Sequence, residues 1–252
     1  MCIIRNKLQS IVSNRHTQKA SAMQTSIKIP LILLIFFSLF LPATSFALNL
    51  AGHVEDITGA AWARTAEEPR RPLEEGSPFY VSDKITTESD ARLELRFEDG
   101  AKFFIGADSE LDVEEFIYNN GEQENSFSSR IIKGTFRFVT GLIAHEKPEA
   151  MEVNTSVATI GVRGTQVIGE AGPTSATIIL MEPEDKSRKS IIQVANQYGS
   201  VTIDEPGYGT EIPDEFSPPS PPRRMRLQTI DNLMRSLQRI QRINIPRPRP
   251  QM

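Results

Sequence analysis

The chain has 252 residues, of which 39% are hydrophobic and 24% charged, with 28 Lys and Arg against 32 Asp and Glu, a net charge of −4 and one cysteine. This composition is typical of a folded chain with one sizeable domain and excludes a fully disordered one. A single cysteine excludes an internal disulfide framework and a cysteine-rich metal site.

The chain opens with a segment typical of export. Residues 29–41 read IPLILLIFFSLFL, which is shorter than the roughly 20 apolar residues of a membrane span but has the length of a signal-peptide core. Small residues at Ser45 and Ala47 predict cleavage after Ala47. We therefore interpret 1–47 as a signal peptide with an N-terminal extension, and Met23 is an alternative start. This predicts a periplasmic or extracellular protein; the alternative is an inner-membrane protein that keeps 29–41 as a single uncleaved span.

Charge is distributed unevenly along the rest of the chain. The first 47 residues hold five basic and no acidic residues, so a processed chain would carry a net charge of −9 and no thiol. Residues 48–216 hold 15 basic and 31 acidic residues, a net charge of −16, whereas residues 217–252 hold eight Arg and one Asp, a net charge of +7. The sequence therefore predicts an acidic domain at 48–216 and a separate basic tail.

The basic tail divides into three segments. Four prolines within 217–224 predict an extended, proline-rich linker. Residues 225–245 carry apolar residues at helical spacing, which predicts a short basic amphipathic helix, and 246–252 is predicted to be disordered. The apolar positions of the predicted helix are Leu227, Ile230, Leu233, Met234, Leu237, Ile240 and Ile243.

The arginines of this tail are candidate docking residues. The tail could fold back on its own acidic domain, contact an anionic membrane, dock on a protein partner, or have no specific role. Nucleic acid is not expected as a partner because the predicted signal peptide carries the chain away from it. The candidate arginines are Arg223, Arg224, Arg226, Arg235, Arg239 and Arg242.

The acidic domain is predicted to be all-β. Residues 92–97 alternate polar and apolar side chains, so that Leu93, Leu95 and Phe97 share one face of a strand. Asp99-Gly100 follows and predicts a hairpin turn into a return strand at 102–105. Short strands punctuated by glycines indicate a sandwich or a solenoid, with no helix of useful length. The further predicted strands are 131–139, 151–153, 159–168, 176–181, 190–195 and 200–203.

No catalytic, cofactor or metal residue is predicted. Only His53 and His145 follow residue 47, and no nucleophile-elbow, zinc-protease or phosphate-loop motif occurs. A carbohydrate-active enzyme stays open because a glycosidase needs only two carboxylates.

Two further patterns have a structural and a functional interpretation each. Carboxylates at positions 108, 110, 112 and 114 are expected on one strand face, either as a solvated edge or as a cation-binding strip. The aromatic side chains would either fill the core or stack on a sugar ring. They are Trp62, Phe79, Tyr80, Phe103, Phe104, Phe136 and Phe138.

The thirteen residues 153–165, VNTSVATIGVRGT, resemble the signature of the FecR domain, and weaker collinear matches extend the resemblance over about 52–212. The resemblance implies an all-β extracytoplasmic domain with a solenoid-like or jelly-roll-like arrangement. In the iron-uptake regulators that gave the domain its name, it implies reception of a signal from an outer-membrane receptor. Those regulators carry a sigma-binding segment before a membrane span, for which residues 1–22 are too short.

The motif residues Gly161, Val162, Arg163, Gly164 and Thr165 are the candidate site. Two glycines three positions apart permit a tight or positive-φ turn, and the arginine between them can pair bidentately with a carboxylate, either to tie β layers together or to bind a ligand. The sequence as a whole predicts a non-enzymatic binding or scaffolding module of a bacterial envelope, with an envelope protein or glycan as partner. The alternative is a membrane-retained, signal-transducing FecR-type regulator.

Overall fold

The computed structural model describes residues 49–66, 69–119, 121, 123–183 and 190–238. The predicted signal peptide 1–47 and the predicted disordered tail 246–252 lie outside the described residues. No helix among the described residues is long and apolar enough to cross a membrane.

Strands dominate the described part of the chain, as the alternating sequence pattern predicts. The first half of the chain contributes β1 (Leu50–Thr58), β2 (Ala61–Arg64), β3 (Arg71–Leu73), β4 (Pro78–Tyr80), β5 (Lys84–Thr87), β6 (Arg92–Phe97), β7 (Lys102–Ile105) and β8 (Glu110–Ile117). The second half contributes β9 (Ser126–Val139), β10 (Met151–Thr155), β11 (Thr159–Arg163), β12 (Gln166–Ala171), β13 (Ala176–Met181), β14 (Ile191–Asn196), β15 (Gly199–Ile203), β16 (Tyr208–Ile212) and β17 (Arg223–Arg224).

Two helices accompany the strands in the part of the chain that the structure describes. Helix α1 (Leu142–Glu146) is followed by a turn of 3-10 helix (Pro148–Ala150), and helix α2 (Leu227–Leu237) follows β17. A helix as short as α1 has too few turns to produce a helical period, which is why the sequence pattern does not predict it.

The strands form two layers that share one strand. Sheet A has the order β4-β1-β6-β7-β9-β12-β13-β16-β17. Sheet B has the order β3-β2-β5-β8-β9-β10-β11-β14-β15. The chain passes back and forth between the sheets, mostly in antiparallel hairpins, and the β9–β10 pair is parallel. The all-β prediction is confirmed. Successive strands or strand pairs lie alternately in sheet A and sheet B, which agrees with the expected solenoid-like arrangement.

A phenylalanine cluster fills the space between the two sheets. Phe97 and Phe103 of sheet A contact Phe127 of sheet B, with ring centroids 4.7 and 5.6 Å apart. Phe103 also stacks on Phe138 at 5.3 Å. All four rings are buried, so the inward faces of both sheets close on one continuous core, and aromatic pairs at these separations add to the area that they bury.

Strand β9 belongs to both sheets because it bends at Gly134. Its first half pairs with β8 and β10 in sheet B, and its second half pairs with β7 and β12 in sheet A. Gly134 has φ of +107°, and a Cβ atom at this position would collide with the side chain of Ser109. Glycine is therefore required on both conformational and steric grounds.

The C-terminal elements pack on the outer face of sheet A. The segment before β17 is held by Ser217 and Ser220, whose carbonyl oxygens accept hydrogen bonds from Asn196 Nδ2 (2.8 Å) and Thr210 Oγ1 (2.7 Å). Helix α2 then places Leu233 over Ile168. Helix α2 begins at Leu227 and ends at Leu237, whereas the sequence predicts a helix over 225–245, of which 239–245 lies outside the described residues.

A second, smaller apolar cluster forms where α2 meets sheet A. Ile168 and Ile179 are fully buried although their side chains lie outside the main core, and Leu233 is only 6% exposed. The guanidinium Nε of Arg92 donates a hydrogen bond of 2.8 Å to the carbonyl oxygen of Ser236 near the helix C-terminus. The described residues from 49 to 238 belong to one compact unit, of which helix α2 is a part.

Candidate functional site at the GVRGT turn

The GVRGT motif is the point at which the chain leaves sheet B for sheet A. Gly161, Val162 and Arg163 end β11, Gly164 and Thr165 form the turn, and β12 begins at the next residue. The sequence predicts one strand over 159–168, and the structure divides it in two at this turn because Gly164 has φ of +57°. Val162 and Thr165 are buried, whereas the side chain of Arg163 is exposed.

Hydrogen bonds on both sides fix the turn. The backbone N–H of Thr165 donates to Thr140 Oγ1 at 3.0 Å, and the N–H of Thr140 donates to the carbonyl oxygen of Thr165 at 3.1 Å. The hydroxyl of Ser190 donates to the carbonyl oxygen of Gly164 at 3.1 Å. The turn is thus tied to the end of β9 and to the residue before β14, so its exposed arginine projects from an anchored backbone.

The two glycines of the motif have different roles. A Cβ atom on Gly164 would meet no atom within 4 Å, so only its left-handed backbone conformation calls for glycine there. Gly161 has no positive φ, and the nearest atom to an added Cβ is the carbonyl oxygen of Gln193 at 3.9 Å, which is an ordinary contact. Of the two glycines, the turn therefore depends on Gly164.

A cleft of about 560 Å³ opens beside the turn. One wall is the end of β11 with the turn, and the other is α1 with the residues after it. The cleft combines a guanidinium, an imidazole and a carboxylate with small apolar side chains, which is a donor and acceptor set suited to binding a polar group. It is lined by Ala144, His145, Glu146, Pro148, Arg163, Gly164 and Ile191.

Asp99 holds the helical wall of this cleft in place. Its carbonyl oxygen accepts a hydrogen bond from the N–H of Leu142 at 2.9 Å, and its Oδ2 accepts one from the N–H of Ile143 at 3.3 Å. Its Oδ1 accepts a further bond from the N–H of Ala101 at 3.0 Å. Burial raises the pKa of this carboxyl above its ordinary value, although the backbone donors oppose the shift. The hairpin turn that the sequence predicts at Asp99 thus also positions α1.

Arg163 supplies the guanidinium of the cleft. It makes no ion pair with any residue that the structure describes, so the carboxylate expected to tie it to another β layer is not found in this part of the chain. Residues 184–189, between β13 and β14 in sequence, lie outside the described residues. An exposed guanidinium on an anchored turn can form a bidentate pair with a carboxylate of a bound molecule.

Three carboxylates of the predicted acidic strip form ion pairs with basic side chains of neighbouring strands. Lys84 Nζ lies 2.7 Å from Glu110 Oε1 and 3.1 Å from Asp112 Oδ1, and Arg130 Nε lies 2.6 Å from Glu114 Oε1. Asp108 precedes β8 and has a φ of +50°, so it does not share the strand face as expected. No group of three or more metal-ligating side chains that could hold an ion occurs among the described residues.

The aromatic side chains mostly belong to the core. Phe79, Phe103, Phe136 and Phe138 are fully buried. Trp62 is partly exposed on sheet B, and the guanidinium of Arg70 lies over its ring at 4.2 Å from the centroid. The outward-facing Phe104 is covered in the same way by Arg137 at 4.7 Å, and Tyr80 lies 5.2 Å from the guanidinium of Arg71. These three exposed ring faces are therefore shared with arginines.

The tail arginines divide into paired and unpaired groups. Arg223 lies 2.6 Å from Glu211 Oε2. Arg224, Arg226 and Arg235 are exposed and make no ion pair with a described residue. Arg239 and Arg242 lie outside the described residues.

The sequence pattern did not reveal His145 and Glu146 as neighbours of the motif, because they are separated from Arg163 by almost twenty residues and by a strand. It also missed a cleft of about 710 Å³ in sheet B, whose lining includes Arg64, Asp83 and Lys84. The charges there are largely paired, since Arg71 binds Asp83 and Lys84 binds two carboxylates. Only the strand register brings these residues together.

Comparison with known proteins agrees with the motif. The family model described as FecR protein matches residues 83–183, which include β5 to β13 and the whole GVRGT turn. Residues 83–183 are therefore similar to the FecR family. No curated protein matches the sequence.

The solved structures that resemble the chain include the following three. Two are crystal structures of a "putative anti-sigma factor" from Parabacteroides distasonis, with 12% and 10% identity and TM-scores of 0.45 and 0.46. Each match covers 60% of this chain and 64% or 63% of the other, so less than two thirds of those chains is matched. The third is a cell surface anchoring domain, with 25% identity, 30% of this chain, 99% of the other and a TM-score of 0.27. At these TM-scores the likenesses do not bear on function.

Proposed function

We propose that this protein is a non-enzymatic extracytoplasmic binding module of a bacterial envelope, and that the cleft at the GVRGT turn holds an anionic group of an envelope protein or glycan. The observation that most supports this proposal is the state of Arg163. Its guanidinium is exposed on a hydrogen-bonded turn, and it makes no ion pair with a described residue. Residues 48–216 hold 31 acidic residues, yet none of the described ones pairs with Arg163, which leaves its guanidinium available to an anionic group. The FecR domain and the predicted signal peptide support the envelope setting.

The cleft is tested by binding with two substitutions at Arg163. Purified protein is titrated against a panel of acidic peptides and uronic-acid oligosaccharides. Arg163→Ala should weaken binding by about 10-fold to 100-fold, because a hydrogen bond to a charged group contributes about 1.5–3 kcal/mol. Arg163→Lys should restore only part of the affinity because it keeps the charge but loses the bidentate fork.

Lys133→Ala provides the control, since Lys133 is also exposed and unpaired among the described residues. Equal losses from Lys133→Ala and Arg163→Ala would show a general charge effect and would contradict the proposal. Release of a cleaved product from any bound oligosaccharide would instead indicate a carbohydrate-active enzyme.

A membrane-retained FecR-type regulator is the second candidate, favoured by the family to which the domain belongs. N-terminal sequencing of the protein from fractionated cells separates the two. A mature chain that starts at Leu48 in the periplasm or medium fits the exported module. A membrane-bound chain that retains 29–41 fits the regulator.

A further inference from the structure

The apolar face of helix α2 is largely buried against sheet A. Leu233 and Met225 cover Ile168 and Ile179 on sheet A, and all four side chains are at least nine-tenths buried. An amphipathic helix that inserts into a bilayer needs this face free. In the described arrangement, any membrane contact of residues 223–238 must therefore be made by their outward, polar side.

The outward side carries unpaired positive charge. Arg224, Arg226 and Arg235 are exposed and form no ion pair with a described residue. Other basic residues do pair with the acidic body: Arg96 and Lys102 share Glu55. We name Arg224, Arg226 and Arg235 the outer arginine strip. The sequence adds Arg239 and Arg242 directly after it.

An exposed apolar side chain accompanies the strip. Leu227 is 75% exposed at the start of α2, next in sequence to Arg226. Arginines beside a solvent-exposed leucine are typical of peripheral lipid contacts, in which cations meet anionic headgroups and an apolar side chain reaches the acyl boundary. A soluble polyanion would offer no apolar phase for Leu227, whereas a bilayer offers both the anionic surface and the apolar phase.

We infer that the outer arginine strip, with Leu227, is a peripheral contact surface for an anionic lipid bilayer. The contact is electrostatic and leaves α2 docked on sheet A. Because sheet B lies on the other side of the core from α2, the bound domain would present the outer face of sheet B away from the bilayer. The inference stands independently of the Arg163 cleft, and the variants that test the two are different.

The test uses the compact unit 47–252, which lacks the predicted membrane segment, and co-sedimentation with vesicles of phosphatidylglycerol and phosphatidylcholine. Arg224→Glu/Arg226→Glu should lower partition onto phosphatidylglycerol-containing vesicles by at least about 30-fold at low salt, since each arginine near an anionic surface contributes about fivefold. Added salt should weaken the wild-type binding because exposed charges are screened. Leu227→Ser should lower partition more modestly.

The matched control is Arg64→Glu/Lys133→Glu, which makes the same charge change on two exposed sheet B residues. Circular dichroism verifies that both double variants fold. Retained binding by the control and loss by the strip variant supports the inference. Equal loss in both, no loss in either, or equal binding to pure phosphatidylcholine would overturn it. Binding to soluble polyphosphate or to a second protein copy without vesicle binding would overturn it as well.

Discussion

Helix α2 is a structural part of the domain, and Leu233→Ala tests this directly. Leu233 is 6% exposed and packs in one apolar cluster with Ile168 and Ile179, whose side chains are fully buried. Leucine-to-alanine substitutions at buried sites cost 2–5 kcal/mol, and the cost is lower where the surroundings can relax into the space. Since α2 lies at the surface and can settle, we expect the lower end, about 2 kcal/mol.

The measurement is urea and thermal unfolding of residues 47–252. A loss of about 2 kcal/mol in the free energy of unfolding corresponds to a decrease of about 4–8 °C in Tm for a domain of this size. Leu227→Ala is the matched control, because it makes the same substitution in the same helix at a side chain that is 75% exposed. We expect it to change the free energy of unfolding by less than about 0.5 kcal/mol.

Limited trypsin digestion reports on the same contact. Cleavage after Arg235 should be faster in Leu233→Ala than in Leu227→Ala, since undocking exposes the helix backbone. Equal unfolding midpoints and equal cleavage rates for the two variants would refute the conclusion that α2 is docked through Leu233.

Three further predictions concern the turn and two carboxyl groups. Gly164→Ala should lower the free energy of unfolding by about 1–2 kcal/mol through backbone strain alone, while Gly161→Ala should have little effect; similar urea midpoints for the two would contradict the assignment. Burial raises the pKa of Asp99, so its ionisation lowers stability as pH rises from the unfolded value through the folded one. Asp99→Asn should remove this dependence in unfolding measured from pH 3 upward, and an unchanged pH profile would argue against it. The hydrogen bond from Arg96 lowers the pKa of Glu55 from 4.5 to about 2, against the effect of burial. Its stabilising contribution is therefore lost as pH falls between those values, and Glu55→Gln should flatten acid unfolding in that window.

The sequence pattern predicted the fold best where strands alternate regularly. Leu93, Leu95 and Phe97 are all inward and buried, and the turn at Gly100, with φ of +83°, connects β6 to β7 as expected. The first strand was not predicted because it carries two register shifts, near Gly52 and after Val54, which interrupt the period-two pattern. A bulge of this kind is decided by neighbouring strands, which a local pattern cannot show.

The tail shows a second limit of sequence reasoning. Helical spacing predicted an apolar face but not the surface that this face covers. The run Ile178-Ile179-Leu180 could have indicated this surface, since consecutive apolar residues in a strand indicate burial on both faces of the sheet. Ile178 and Leu180 belong to the main core, whereas Ile179 faces α2. The candidate site was also predicted only in part. One wall of the cleft beside Arg163 is formed by α1, and this helix is too short to show a periodic pattern in the sequence.

The bend of β9 at Gly134 has a consequence for how the chain acquires its structure. All strand pairing between β1–β8 and β10–β17 passes through β9, which serves each half in both layers. Neither half can complete its hydrogen-bond ladder until residues 126–139 have been synthesised and have taken up their bent path. Folding of the two halves should therefore be kinetically coupled through β9, because the strands of both halves pair with it.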